Sequence, residues 1–221
     1  MCYDAKSSMN GFLIGGAASL YLLFFSNDPT YKHFGFFFIV VVLMQLLEYF
    51  IWIDQDCDKN YNDIASRFIV PVLNAQVLAI VLGAYILNTT ILPRYVLKYA
   101  SLLVFISLLY VCINTFYIDN REFCTKPNED GRLQWDKYSD HVTIYDELGY
   151  LLIFILVPFL LKNIKLGILL LIIGGYALIN TQYANKHSWN SKWCFYAAYI
   201  PTLFVVINLL EKYSGKKFPF I

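Results

Sequence analysis

The sequence predicts an all-α fold, a polytopic membrane helical bundle with seven transmembrane helices in a single domain spanning residues 1–221. Composition is the first sign. Hydrophobic residues make up 58% of the chain and charged residues 15%, with a mean hydropathy of +0.53. Soluble domains lie nearer half apolar and about a quarter charged. Block length is the second sign. The apolar residues fall into runs of about twenty, the length a helix needs to cross the hydrocarbon core. The third is the punctuation between runs, which consists of short turn signals and charged loops. A soluble helical core would not need runs of that length. Net charge is +1, without the basic stripe of a nucleic-acid binder. The expected partner is the lipid bilayer.

Residues 1–9 are short and polar, with no basic leader and no cleavage site, so no removable signal peptide is expected. The first span, about 10–26, acts as its own insertion signal. It carries Gly11, Gly15 and Ser19 at four-residue spacing, a pattern that lets two helix backbones approach closely. Asn27-Asp28-Pro29 is a turn signal. The second span covers about 31–53. An acidic loop at 54–63 holds Asp54, Asp56, Asp58 and Asp63 and reads as solvated. Span three is about 64–87 and span four about 94–117. A long charged loop follows at 118–143. Span five is about 144–161, span six about 164–183 and span seven about 193–211.

Lysine and arginine set the expected orientation. Loops 1–2, 3–4 and 5–6 and the C-terminus hold Lys32, Arg94, Lys98, Lys162, Lys165, Lys212, Lys216 and Lys217, against only Asp28 and Glu211. These loops are short and almost purely positive. The sequence therefore predicts an integral membrane protein with the N-terminus outside and the C-terminus in the cytoplasm. A sequon, Asn88-Thr89-Thr90, lies on the predicted cytoplasmic side, close to the membrane. A glycan there would invert the orientation. Cys2, Cys57, Cys124 and Cys194 all fall toward the outside, and Cys112 lies within span four. The four outer thiols permit three pairings. Cys57 with Cys124 would tie two loops together, and Cys2 with Cys194 would tie the N-terminus to span seven. A reducing compartment would leave them free.

Span two holds a carboxylate. Glu48 sits five residues before Ile53, about 7–8 Å inside the end of its run at helical rise. An isolated charge at a helix centre costs roughly 2.5–3.5 kcal/mol on insertion scales. Gln45, Glu48 and Trp52 share one face, which should look inward. The other deep polar residues are Asn74 on span three, Asn114 on span four and Asn180 on span six, all in the outer half. Ser107, Tyr110 and Asn114 form one stripe, and Tyr176, Asn180, Tyr183 and His187 another. If the stripes meet Gln45 and Glu48, they enclose a polar, aromatic-lined pocket for a small ligand or cation. The alternative is a set of interhelical hydrogen bonds with no cavity.

Known chemistries narrow the choice. A retinal Schiff base needs a lysine in the middle of the last span, and Lys192 lies only at its mouth. A three-histidine zinc site is excluded, because only His141 and His187 lie outside. A mixed metal site from Cys2, Glu48, His187 and Cys194 is chemically allowed, though no ligand-spacing motif supports it. Asp54-x-Asp56-x-Asp58 opens like a calcium loop but lacks the glycine and the closing glutamate. Cys194 as a nucleophile with His187 as its base is the catalytic alternative. The sequence specifies no cofactor.

Three short motifs resemble an uncharacterised family of multi-pass membrane proteins. Met1-Cys2-Tyr3-Asp4-Ala5-x-x-Ser8 is similar to that family's opening Met-Cys-Phe-Ser-Ala-x-x-Ser. Gln45-x-x-Glu48-x-x-x-Trp52 matches its Gln-x-x-Glu-Gly-x-x-Trp, with Tyr49 in place of glycine. Trp193-Cys194-Phe195-Tyr196-Ala197-Ala198 resembles its Trp-Cys-Phe-Phe-Ala-Ala. No activity is established for that family. The resemblance singles out Cys2, Glu48, Trp52 and Cys194 and implies no particular chemistry.

Overall fold

The computed structural model describes residues 4–119, 122–129, 131–135, 155–182 and 189–215, with backbone alone at 182, 189 and 190. The regular elements among these residues are helical. They are α1 (Ala5–Phe25), α2 (Pro29–Trp52), α3 (Tyr61–Leu87), α4 (Arg94–Ile113) with a π turn at Asn114–Ile118, α5 (155–160), α6 (Ile164–Gln182) and α7 (Trp189–Ser214). Six are long and apolar enough to cross a membrane: α1, α2, α3, α4 with its π turn, α6 and α7. Most of the expected span at 144–161 lies outside the described residues.

Caps account for where α1 and α2 begin. α1 starts five residues before the apolar run because Asp4 Oδ1 accepts from the Ser7 amide at 2.6 Å. That bond satisfies one of the amides a helix start leaves open. Asp28 Oδ1 does the same for Thr30 at 2.7 Å, and Pro29 occupies the first position of α2, where its missing N–H costs nothing. α3 ends at Asn88, which takes the left-handed conformation with φ 53°, as helix C-termini often require.

α1 packs on α2 and α7, α2 also on α3 and α7, α3 on α4, and α6 on α7. The small residues set these distances. A Cβ on Gly35 of α2 would lie 2.6 Å from both Leu23 N and Ser19 O of α1. Gly11, Gly15 and Ser19 are buried together on one face of α1, as their spacing predicts. Leu22, Phe38, Met44, Ile51 and Phe204 fill the interior. α4 is the least buried of the six helices, with only Leu97 and Ser101 buried.

One end of the bundle carries the Cys57–Cys124 disulfide and is called here the disulfide end. α1 begins there, α2 finishes there and α3 begins there. At the opposite end, His33 Nε2 lies 2.7 Å from Ile80 O. A carbonyl only accepts, so Nε2 bears the proton, and in the neutral ring Nδ1 accepts from Thr89 Oγ1 at 2.8 Å. The Lys162 amide donates to Thr89 O at 2.7 Å, and the Ile91 amide to Leu160 O at 2.8 Å. Residues 160–162 therefore sit at this end.

Candidate functional site

The candidate site is an interior layer where α1, α2 and α7 meet. Its level follows from the glycines. A Cβ on Gly15 would collide with Ala198 O of α7 and lie 2.7 Å from Val42 Cγ1 of α2. One turn nearer the disulfide end, a Cβ on Gly11 would lie 3.2 Å from Gln45 Oε1. From the Gly15–Val42–Ala198 level, Ser8 is seven residues further along α1, Glu48 six along α2 and Ser191 seven along α7. At helical rise these three lie within about 1.5 Å of one level.

Glu48 and Gln45 are both 0% exposed. Gln45 Nε2 donates to Glu48 Oε2 at 3.0 Å, the pairing their three-residue spacing allows on one helix face. Cys194 of α7 is buried and, four residues from Ala198 toward the disulfide end, falls between the levels of Gln45 and Glu48. Ser8 is fully buried, and its hydroxyl has no hydrogen-bond partner among the described residues. The indole N–H of Trp52, one turn beyond Glu48 and on the same face, is likewise buried and unpartnered. The layer thus holds an acid, an amide, a thiol and hydroxyls inside the bundle. Among the described residues no group of three His, Cys, Asp or Glu side chains is placed to hold a metal.

The other expected site residues are dispersed. Asn74 is half-buried and donates to Val70 O of its own helix at 3.1 Å. Asn114 is half-buried and opens the π turn. Asn180 and Tyr176 are exposed on α6, and Ser107 and Tyr110 on α4. These stripes do not join Gln45 and Glu48 inside the described bundle. Cys2, His141, Tyr183 and His187 lie outside the described residues, so the Cys2–Cys194 pairing and the Cys194–His187 pair do as well. Among the described residues Cys112 and Cys194 are free.

The disulfide end is closed by a strap, residues 122–129 and 131–135. Phe123, Leu133 and Trp135 of the strap are buried in the core. Cys57–Cys124 joins it to the α2–α3 loop. Asn62 pairs with Thr125 in both directions, through Nδ2 to Thr125 O at 2.9 Å and Oδ1 from Thr125 N at 2.8 Å. Ser66 Oγ lies 2.8 Å from Thr125 Oγ1. Asp63 accepts the Phe123 amide at 2.8 Å and pairs with Arg67 at 2.9 Å. Arg67 in turn sits over the Phe123 ring and donates to Thr115 O and Asp119 O.

Asp54 differs from the expected solvated acid. It is buried, while Asp56 and Asp58 are exposed. Its carboxylate accepts the amides of Asn62, Asp58 and Lys59 at 3.0, 3.1 and 3.3 Å. These bonds, that from Asn62 foremost, hold its pKa below the ordinary 3.8. A depressed native value makes the carboxylate stabilising above the unfolded pKa, and that contribution is lost as pH falls through the native value. Protection of the strap from pepsin should accordingly weaken on acidification below pH 3.8, and Asp54→Asn should remove that pH dependence. A variant that follows the wild-type acid profile would show that Asp54 does not control it.

Sequence reading missed Ser8 as a member of the layer, although it continues the Gly11–Gly15 face toward the chain start. It also missed Trp135 and the Asn62–Ser66–Thr125 cluster, because contacts between residues some sixty positions apart leave no periodic signal. Comparison with protein-family models, curated proteins and solved structures finds no match to this chain.

Proposed function

We propose that this integral membrane protein takes a small ligand or cation at Glu48, as a transporter or sensor approached from the disulfide end. The observation that carries the reading is the complete burial of an ionisable carboxyl between α1, α2 and α7, bonded to Gln45. Intramembrane acids are costly and mark ligand, ion or proton pathways. We assign the disulfide end to the outside, because disulfides persist on the oxidising side of a membrane. The N-terminus then lies outside and the C-terminus in the cytoplasm, in agreement with the lysine and arginine distribution. Seven crossings fit the same arrangement: the strap lies at one end and residues 160–162 at the other, which calls for a crossing between them.

The test is an infrared difference spectrum of the full chain in lipid nanodiscs after a pH step or a sodium step. A carboxyl band that responds, and that Glu48→Gln deletes, is expected. A spectrum unchanged by Glu48→Gln under every condition removes Glu48 from the proposed role. The burial of the Cys194 thiol between the levels of Gln45 and Glu48 favours one second reading, a membrane enzyme using the Cys194 thiol, His187 and Glu48, with or without a metal. Stoichiometric metal in the purified protein that is lost in Cys194→Ser would support that reading.

A further inference from the structure

Four cations share one edge of the bundle at the end opposite the disulfide. Residues 89–91, in the turn between α3 and α4, lie beside residues 160–162, which lead into α6. The Ile91 amide donates to Leu160 O at 2.8 Å and the Lys162 amide to Thr89 O at 2.7 Å. Thr90 and Leu161 pair antiparallel between them. Arg94 follows Ile91 by three residues, and Lys165 follows Lys162 by three, at most about 11 Å of chain in each case. Lys98 lies one helical turn beyond Arg94. The paired turns therefore hold the start of α4, with Arg94 and Lys98, next to the start of α6, with Lys162 and Lys165.

All four side chains are exposed, and none forms an ion pair among the described residues. The acids described at this end are engaged elsewhere. Asp28 caps Thr30, and Glu211 accepts from the Tyr31 hydroxyl at 3.0 Å. The Arg94 guanidinium lies 5.3 Å from the centre of the Tyr85 ring, which holds it against α3. Placement adds to the charge. Arg94 is the first residue of α4 and Lys165 the second of α6, and neither helix has an acid in its first turn. The positive end of a helix dipole disfavours a cation and favours an anion.

The adjoining surface narrows the class of anion. The α4 face that carries Arg94 and Lys98 continues at helical spacing as Leu102, Phe105 and Leu109, all exposed. A free phosphate makes no use of that stripe. A phospholipid matches both parts, with a charged group at the helix end and hydrocarbon along the helix. We propose that this edge binds an anionic phospholipid, its phosphate among Arg94, Lys98, Lys162 and Lys165 and an acyl chain along α4. With the disulfide end outside, the lipid comes from the cytoplasmic leaflet, whose surface is negative. The site is separate from Glu48 and does not depend on it.

The test is native mass spectrometry of the full chain in detergent, titrated with dioleoylphosphatidylglycerol, dioleoylphosphatidylcholine or inorganic phosphate. Phosphatidylcholine reports hydrocarbon contact alone, and phosphatidylglycerol is expected to bind at least 25-fold tighter, a factor of about five for each of two cations. Arg94→Gln combined with Lys162→Gln should weaken phosphatidylglycerol by roughly that factor and leave phosphatidylcholine unchanged. Lys98→Gln combined with Lys165→Gln supplies a second pair should the first fail to fold. Lys212→Gln removes a charge from α7 at the same end and should change neither lipid. Equal affinities for the two lipids overturn the proposal, as does a preference that survives the double variants. A loss just as large in Lys212→Gln would mean diffuse surface charge and overturn it too. Inorganic phosphate that displaces phosphatidylglycerol at equal concentration would make this a free-anion site and overturn the lipid assignment. Glu48→Gln should keep the preference, so this result and the infrared result on Glu48 can fail separately.

Discussion

Replacing both halves of the Cys57–Cys124 bridge by serine is expected to lower stability by about 4 kcal/mol and to expose the strap to protease before the helices separate. The first figure follows from chain entropy. The bridge joins residues 67 apart, and closing a loop of that length in the unfolded chain contributes about 4 kcal/mol. The hydrogen bonds holding the same strap are weaker. The two between Asn62 and Thr125 contribute about 0.5–1.5 kcal/mol each. The bridge therefore dominates the polar contacts, while Phe123, Leu133 and Trp135 keep the strap seated most of the time. The double variant should show a lower unfolding midpoint in mild detergent and faster cleavage between residues 122 and 135, with unchanged helical circular dichroism under native conditions. Wild type treated with a dithiol reductant should behave in the same way. Equal midpoints and equal cleavage rates would show that the strap is held without the bridge.

Gly15→Leu should be more disruptive to the helices themselves, with a loss of about 3 kcal/mol or more, at the upper end of the range for overpacking. The reason lies in what the new side chain meets. Its first carbon would run into the Ala198 carbonyl and crowd Val42 Cγ1. A flexible side chain can swing away, but a helical backbone carbonyl moves only with its helix. α1 would be forced off both α2 and α7, and the Ser8–Glu48–Ser191 level two turns further along would loosen with it. Gly16 is the control. It is the next residue of the same helix, and a Cβ there has no atom within 4 Å, so Gly16→Leu should be close to neutral in a membrane. Thermal melting and monodispersity of the two variants in parallel decide the matter. Matching melts for Gly15→Leu and Gly16→Leu would mean that α1 does not pack through its small-residue face.

The helices were legible because hydrocarbon-length apolar runs have few other uses, and caps explain two of the starts that moved. Asp4 drew α1 back to Ala5, and Asp28 with Pro29 set the start of α2. The Gln45–Glu48 pair was legible for a related reason, since three residues along one helix bring two side chains together whatever surrounds them. Asn180 carries the same kind of signal as Gln45, a polar residue in an apolar run, yet it is exposed while Gln45 is fully buried. Periodicity identifies a face of a helix without saying what that face looks at.

By itself the sequence determined that the chain belongs in a membrane, where six of its helices run, and that Glu48 faces the same way as Gln45 and Trp52. Those properties depend on composition and on spacings of a few residues. Tertiary structure alone decided that Cys57 pairs with Cys124, that Asp54 is buried among amides while Asp56 is not, and that Ser8, Glu48 and Ser191 share a level. These depend on contacts between residues far apart in the chain, and their energies come from how α1, α2, α3, α7 and the strap meet.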